Sequence, residues 1–215
     1  MSGKTERTSF GRKADRGTHE FDDACAVIDA ARFGHVGFTL DGQPFVMPMA
    51  YGRDGNRIVF HGSTGSRAMR VLSAGATCCF TITHIDGLVL ARSAFESSMN
   101  YRSTAVIGVC EPIEDADEKW RVLDVITDHL LPERRGALRP MTKKEVAATS
   151  VLALPIVEFS TKSRTGGPKG EEPEDVHWPV WAGVMPMSMA FGDPIPAEDL
   201  DAGIAVPGLL KVWQA

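Results

Sequence analysis

Hydrophobic residues recur with two different periods along the chain. Over residues 21–32 they return every three or four positions, which predicts an amphipathic helix. From Gly34 the apolar runs become short, and Asp41-Gly42 and Asp54-Gly55 separate them. An Asp-Gly pair between apolar runs is a strong signal for a β-hairpin. The pattern therefore predicts three successive antiparallel strands that end near Gly62.

The rest of the chain continues this mixture of strands and helices. Helices are predicted over residues 64–74 and 115–131, where apolar residues again follow helical spacing. The predicted strands cover residues 77–85, 88–92, 101–112, 151–160 and 179–187, with a turn at Asp86-Gly87 and an exposed loop over residues 165–175. At least six short strands with few helices favour a mainly β, α+β domain: an antiparallel barrel with peripheral helices. The same pattern argues against a Rossmann domain.

Composition narrows the class of protein further. The chain has 215 residues, 43% of them hydrophobic, which is enough for the core of one large domain. Lys and Arg number 23 against 28 Asp and Glu, a net charge of −5, so we expect no binding to nucleic acid. The longest central stretch without these charges, residues 71–85, is too short and too polar to span a bilayer, and we expect no membrane association.

The first twenty residues have a different character from the remainder. They form a predicted polar arm, residues 1–20, ahead of a single domain over residues 21–215. The arm carries five Lys and Arg residues without a following apolar stretch, which argues against a secretory signal peptide. Four cysteines without CxxC spacing are typical of a reducing compartment, so a cytoplasmic location is expected.

The segment from Phe60 to Arg67 (FHGSTGSR) has the most chemical content. A strand that passes through a Gly/Ser turn into a helix is suited to an anion, because free N–H groups and the helix dipole favour a phosphate. A cation in the first helical turn, as at Arg67, is unfavourable by ~0.3–1 kcal/mol unless an anion lies beside it. A phosphate cradle and an ordinary capped helix with a solvated arginine fit this segment equally well.

Further basic residues lie near the predicted strand ends. Alternation places Arg102 on the same face as Thr104 and Val106, where a cation needs a partner unless that face is solvated. Lys162 and Arg164 follow the late strand and leave the same two alternatives open. The histidines show no metal-ligand spacing, and no metal site is expected.

Several segments in a fixed order carry a family resemblance. They are DGQPFVMPMAYGRDGNRIVFHG, HGSTGSRAMRVL, DGLVLARSAFESSMNYRSTAVIG, RPMTKKEVAATSVLALPIVEFSTKSR and PVWAGVMP. In them the chain resembles the pyridoxamine 5′-phosphate oxidase-like superfamily of FMN-binding split β-barrels, and within it the branch of nitroimidazole-reductase-like resistance proteins. The resemblance covers most of residues 12–207 and implies an antiparallel six-stranded FMN-binding split β-barrel.

The resemblance implies an FMN site built from three segments. In the family, the strand before the first helix contacts the flavin ring through its backbone. The strand end and the helix start hold the ribityl chain and phosphate, and the start of a later strand, from the same or the partner chain, completes the site. The matching residues here are Val46, Met47, Pro48 and Met49; Phe60, His61, Ser63, Ser66 and Arg67; and Tyr101, Arg102 and Ser103, with Lys162 and Trp181 as further candidates.

The sequence departs from the oxidase itself at positions that matter for its reaction. Ser66-Arg67 stands where the oxidase has an Arg-Lys pair, and Ser160 follows Glu158-Phe159 where the oxidase has a tryptophan. The Tyr, Arg and Ser pattern that binds pyridoxal phosphate in the oxidase has no counterpart. Oxidation of pyridoxamine phosphate is therefore not the expected activity.

The sequence-based hypothesis is a cytoplasmic, homodimeric, FMN-dependent oxidoreductase that acts on a small conjugated or nitroaromatic acceptor. Flavin N5 would accept or give the hydride, and His61 is the candidate proton handler, although a purely structural histidine fits equally. The apolar residues 178–191, with three alternating methionines, are the candidate subunit contact. The alternative is a non-catalytic flavin-binding or flavin-storage module, and a zinc-dependent or haem-binding role is a third hypothesis.

Overall fold

Ten strands and four α-helices form the part of the chain that the computed structural model describes, residues 3–170 and 172–206. The strands are β1 (Gly17–Thr18), β2 (Phe33–Leu40), β3 (Gln43–Asp54), β4 (Arg57–Ser63), β5 (Thr77–Leu90), β6 (Ser98–Val109), β7 (Glu111–Pro112), β8 (Thr149–Pro155), β9 (Glu158–Arg164) and β10 (Gly183–Pro186). The helices are α1 (Phe21–Ala30), α2 (Arg67–Ser73), α3 (Ala116–Leu130) and α4 (Lys143–Ala148). No helix within these residues has the length and hydrophobicity needed to cross a membrane.

The strands form one antiparallel sheet that closes on itself. Their order is β1-β9-β6-β5-β2-β3-β4-β8-β7, with β10 paired to β5. Only Ile156-Val157 joins β8 to β9, yet the two strands lie near opposite ends of this order. The sheet must therefore curl until its ends meet, which makes a barrel. The predicted antiparallel α+β barrel with peripheral helices is confirmed, although the described residues contain ten strands where six were expected.

Both predicted hairpins form around β3. In the first turn Asp41 and Gly42 have φ angles of 51° and 75°, as a type I′ turn requires. In the second, Gly55 takes a φ of 61° between the paired residues Asp54 and Arg57. Because both turns bring neighbouring strands together locally, the order β2-β3-β4 follows directly from the sequence.

The predicted turn at Asp86-Gly87 is wrong. Strand β5 continues through these residues, and a register shift between Ile85 and Gly87 marks a β-bulge instead. A Cβ at Gly87 would lie 2.9 Å from the carbonyl oxygen of Met185 in β10. Glycine is needed here because another strand approaches closely, whereas the sequence pattern indicated a turn.

The predicted strand over residues 151–160 is also wrong, because it is divided into β8 and β9. The chain turns at Ile156, whose side chain is fully buried and whose N–H donates to the Asn56 carbonyl oxygen at 2.7 Å. This turn faces the barrel interior and therefore uses apolar residues. The predicted strand over residues 179–187 survives only as β10, and α4 was not predicted.

Two hydrophobic clusters lie on opposite faces of β4 and β8. Ile58 and Phe60 face the barrel interior, whereas Val59 faces outwards toward helix α3. The alternation follows from the two-residue period of a strand. The N-terminus of α3 is fixed by Arg121, which bonds Asp54 at 2.6 Å in the turn between β3 and β4. Strand β4 is therefore covered on both faces.

The N-terminal arm lies along β9. The Phe159 N–H donates to the Gly3 carbonyl oxygen at 3.1 Å, and β1 pairs with Thr161 and Lys162. Arg7 forms an ion pair with Glu158. The arm thus extends the sheet by one short strand and covers one end of the barrel.

Candidate functional site

The turn between β4 and α2, residues 63–67, is held by its own hydroxyl groups. The Gly65 N–H donates to Ser63 Oγ at 3.2 Å, and the Met69 N–H donates to Ser66 Oγ at 3.5 Å, which makes Ser66 the N-cap of α2. In both contacts the serine oxygen accepts, so each hydroxyl keeps its hydrogen for another acceptor. The turn is therefore rigid and still offers two O–H donors.

The Arg67 side chain projects from this turn over an aromatic ring. Its guanidinium carbon lies 4.6 Å from the centroid of Phe45, and that ring stacks on Phe38 at 5.6 Å. Arg67 forms no ion pair with any residue that the structure describes. An exposed cation held in place by a ring, without a carboxylate partner, is ready to receive an external anion.

Strand β3 presents an uncovered edge next to Phe45. Residues 43–50 pair with β2 on one side, whereas β4 pairs only with residues 51–54 on the other side. We call residues 44–50 the β3 edge; within the described chain, no backbone group there bonds to another element on that second side. Val46 is 69% exposed and Met47 39% exposed. This edge combines free backbone carbonyls, and N–H groups except at Pro44 and Pro48, with apolar side chains.

His61 and Phe60 point to opposite faces of β4. Phe60 is fully buried in the barrel core and pairs with Tyr51 on one side and Leu152 on the other. His61 pairs with Val151 on the face that α3 covers. Its Nδ1 is buried without a hydrogen-bond partner, and burial lowers the pKa of the ring. Burial therefore favours the neutral form of the His61 imidazole, and its role in proton transfer stays a prediction.

Four of the remaining candidates lie together on β6 and β9, opposite the middle of β5. The fifth, Trp181, precedes β10, whose Gly183 pairs with Leu90 at the end of β5. We call this set the ribbon group: Tyr101, Arg102, Ser103, Lys162 and Trp181. Arg102 donates two hydrogen bonds to Asp86, at 2.8 and 3.0 Å, and this contact lowers the pKa of the carboxyl. Ser103 lies 2.9 Å from the Thr83 hydroxyl, and Lys162 donates to the Arg12 carbonyl oxygen at 3.3 Å.

Within one chain the ribbon group is distant from Arg67. Phe45 pairs with Phe38, which in turn pairs with Cys78 on β5, whereas Arg102 pairs with His84. These two levels of β5 are six residues apart, or about 20 Å at the rise of a strand. The structure therefore brings Arg67 and the β3 edge together and leaves the ribbon group at the other end.

A family model described as pyridoxamine 5′-phosphate oxidase matches residues 20–163. The chain belongs to this family. The match begins at α1 and ends in β9, so it contains strands β2 to β8 and all of the candidate residues except Trp181. A search of curated proteins gave no match.

Solved structures of members of the pyridoxamine 5′-phosphate oxidase family and its fold share this architecture. The FAD and haem binding protein from Mycobacterium smegmatis is 37% identical, with a TM-score of 0.87 over 93% of this chain and 97% of that one. Flavocytochrome Anf3 from Azotobacter vinelandii is 34% identical, with a TM-score of 0.90 over 97% of both chains. A Bacteroides thetaiotaomicron protein assigned to 5-nitroimidazole antibiotic resistance is 24% identical, with a TM-score of 0.58 over 68% and 85%, and shares the fold.

One residue of this family member's site was missed by the sequence analysis. Phe45 holds Arg67 beside the β3 edge, although the sequence analysis treated it only as part of a strand. The Asp41-Gly42 turn contained the necessary signal, because its register places Phe38 opposite Phe45. Two aromatic residues across a hairpin indicate a stacked pair.

Proposed function

We propose that this chain is a flavin-dependent oxidoreductase that acts on a small conjugated acceptor, nitroaromatic compounds included. The observation that carries the proposal is the uncovered β3 edge directly beside Arg67, which has no ion pair among the described residues. A flavin nucleotide combines a flat ring, whose edge exchanges hydrogen bonds, with an anionic phosphate. The β3 edge matches the flavin ring and Arg67 matches the phosphate, and the two protein surfaces are adjacent, as the two parts of the flavin nucleotide are.

Each part of the site has a separate task in this proposal. The β3 edge binds the ring through alternate backbone groups, while Val46 and Met47 cover it with apolar surface. Arg67 and the hydroxyls of Ser63 and Ser66 hold the phosphate next to the ribityl chain. The bound flavin supplies hydride or electron transfer, and the protein orients the acceptor and excludes water.

The relatives favour FAD as the flavin, whereas the sequence analysis expected FMN. The Mycobacterium smegmatis protein, 37% identical over nearly the whole chain, binds FAD. Both nucleotides carry a phosphate on the ribityl chain, so Arg67 has the same task with either. In a fluorescence titration, FAD and FMN should both bind much more tightly than riboflavin. Equal affinity for all three would remove the phosphate assignment.

The site is completed by a second copy of the chain in this proposal. Large apolar side chains near the C-terminal part of the described chain stand exposed, and they include Trp178, Trp181, Met185, Met187 and Met189. A monomer seldom leaves such a surface in water. A two-fold dimer would bring the ribbon group of one copy toward the β3 edge of the other. Sedimentation across a dilution series tests this, because a monomer with full flavin affinity would contradict a shared site.

Haem is a second ligand that we propose for this chain. Both relatives above 30% identity point to it, one as a FAD and haem binding protein and one as a flavocytochrome. His35 lies exposed on β2, and its ring has no hydrogen bond to any described residue, whereas His84 and His129 each bond a backbone carbonyl. Phe33, on the same face and 50% exposed, adds apolar surface. A free imidazole beside apolar surface would suit the iron of a bound haem, so His35 is the residue that would hold it.

The haem proposal is tested by the visible spectrum of purified protein reconstituted with haemin. We expect a Soret band in the wild type and its loss or shift in His35→Ala, with flavin absorbance unchanged. A His35→Ala protein with the wild-type Soret spectrum would show that another residue is the ligand.

Turnover distinguishes an oxidoreductase from a flavin-storage module. Flavin-loaded protein is mixed with NADH or NADPH and a nitroaromatic acceptor. Oxidation of the nicotinamide is followed by its absorbance at about 340 nm. Multiple turnovers per bound flavin support the enzyme. A single reduction without turnover with any donor would favour storage.

A further inference from the structure

A cavity of about 670 Å³ opens at the opposite end of the barrel from Arg67. The N-terminal arm, the loop between β5 and β6, and the loop after β9 enclose it. Arg164, which lines the cavity, pairs with Tyr101 on β6, and Tyr101 pairs with Ile85 on β5. The cavity therefore lies beside Ile85 along the barrel axis. That level is seven residues from Cys78, about 23 Å along the strand. Within one chain this cavity is separate from the site at Arg67.

The cavity is lined by an excess of positive charge. Its five cationic residues face two carboxylates, those of Asp15 and Glu96. The cations are Arg12, Lys13, Arg16, Arg164 and Lys169. Within residues 3–170 and 172–206, none of the five forms an ion pair. So many unpaired cations around one cavity repel each other unless an anion lies between them.

Arg164 gives the strongest indication of a ligand. It is only 6% exposed, and its guanidinium donates to Asn100 Oδ1 at 2.6 Å and to the carbonyl oxygens of Gly167 and Gly166 at 3.1 and 3.3 Å. All three acceptors are neutral. Buried charges in proteins are normally paired with an opposite charge, because desolvation of an isolated ion is costly. Arg164 therefore has no counter-ion among the described residues, and an anion in the cavity would supply one.

An aromatic side chain completes the cavity. Phe95 lines it and is 86% exposed, although a large apolar ring gains by being covered. Phosphates need cations, and a nucleotide base needs a flat ring on which to stack. We propose that this cavity binds the pyrophosphate of a nucleotide between Arg16, Arg164 and Lys169, with the base against Phe95.

Two molecules carry this chemistry in a flavin oxidoreductase. One is the ADP half of an FAD whose flavin lies on the other copy of a dimer, and this source rests on the proposed function. The other is a free nucleotide, such as a dinucleotide reductant. The volume of about 670 Å³ lies within the range of small-molecule sites.

The test is calorimetric titration of the full-length protein with ADP, inorganic pyrophosphate and adenosine. We expect ADP to bind more tightly than pyrophosphate, and adenosine to bind most weakly. The double variant Arg16→Gln/Lys169→Gln should weaken ADP and pyrophosphate roughly tenfold or more, as expected for the loss of hydrogen bonds to a charged group. Phe95→Ala should weaken ADP and leave pyrophosphate unchanged.

A matched control removes the same charge elsewhere. Lys143→Gln/Lys144→Gln on α4 eliminates two exposed cations remote from the cavity and should leave ADP binding unchanged. Arg164→Lys keeps the charge but removes the planar guanidinium, and so tests whether its several hydrogen bonds are needed. Absence of ADP and pyrophosphate binding, or wild-type binding by the Arg16→Gln/Lys169→Gln variant, would overturn the site. Equal effects of Phe95→Ala on ADP and pyrophosphate would overturn the nucleotide assignment.

Loading the protein with different flavins separates the two sources. If the cavity holds the ADP half of FAD, FMN-loaded protein binds ADP and FAD-loaded protein does not. If it holds a free nucleotide, both loaded forms bind ADP. Failure of the proposed function, seen as absence of flavin binding, leaves the ADP titration intact, so the two failures are distinguishable.

Discussion

Replacement of Arg67 by alanine is the sharpest test of the phosphate site. The guanidinium is exposed, has no ion pair among the described residues and lies over Phe45. A hydrogen bond to a charged group contributes about 1.5–3 kcal/mol. Arg67→Ala should therefore raise the Kd for FAD or FMN by roughly 10- to 150-fold. Riboflavin has no phosphate, so its Kd should stay unchanged in the same variant.

Stability should change little, which separates binding from folding. The contact with Phe45 is an exposed cation–π interaction of about 0.5–1 kcal/mol. At the size of this domain, that corresponds to a Tm lower by roughly 2–4 °C at most. Differential scanning fluorimetry of the flavin-free protein measures this directly.

The matched control is Lys143→Ala. Lys143 is the first residue of α4, as Arg67 is of α2, and it is also an exposed cation. Its loss should alter neither flavin affinity nor Tm. The reasoning about Arg67 is refuted if Arg67→Ala binds FAD and FMN as tightly as the Lys143→Ala protein does.

Three further substitutions test the fold around the site. Two arginines lower the pKa of Asp54 from 3.8 to about 2, so its stabilisation is complete above about pH 5 and is lost as pH falls toward 2; urea melts of Asp54→Asn should show a deficit of about 1–2 kcal/mol at pH 7 that disappears near pH 2. Gly87→Ala places a Cβ 2.9 Å from the Met185 carbonyl oxygen and should cost about 1–3 kcal/mol in thermal unfolding; a wild-type Tm would contradict the close approach of β10. Tyr51→Phe leaves the buried Ile28 carbonyl without its donor, and a loss of about 1–2 kcal/mol in urea melts is expected.

Sequence patterns predicted a turn correctly only where the strands before and after it pair with each other. Asp41-Gly42 and Asp54-Gly55 lie between strands that pair with each other, and both form hairpins. Asp86-Gly87 is the same dipeptide but forms a bulge, because β10, about a hundred positions away, packs against it. No property of the neighbouring residues distinguishes the two cases.

The same limit explains the turn at Ile156. Turns are recognised by glycine, proline and polar residues because most turns face water. Ile156 is fully buried, so the chain reverses with apolar residues and gives no turn signal beyond Pro155. Burial at this point follows from closure of the barrel, which a local pattern does not contain.

The candidate site divides in a similar way. Residues 60–67 and the β3 strand are adjacent in the chain through a hairpin, and the sequence was sufficient to associate them. The burial of Arg164 depends on the N-terminal arm and on loops around it, which come together only in the folded barrel. The sequence analysis found a basic residue there but had no means of seeing that it is buried among neutral partners.

The pairing of β4 with β8 also sets conditions for synthesis in the cell. Phe60 pairs with Leu152, about ninety positions later in the chain. At translation rates of about 5–20 residues per second, β4 waits roughly 5–20 seconds for its partner after it leaves the ribosome. During this interval its apolar edge is open to other strands, which is the condition under which chains aggregate. Added chaperone, which covers exposed strands during this interval, should therefore raise the soluble yield.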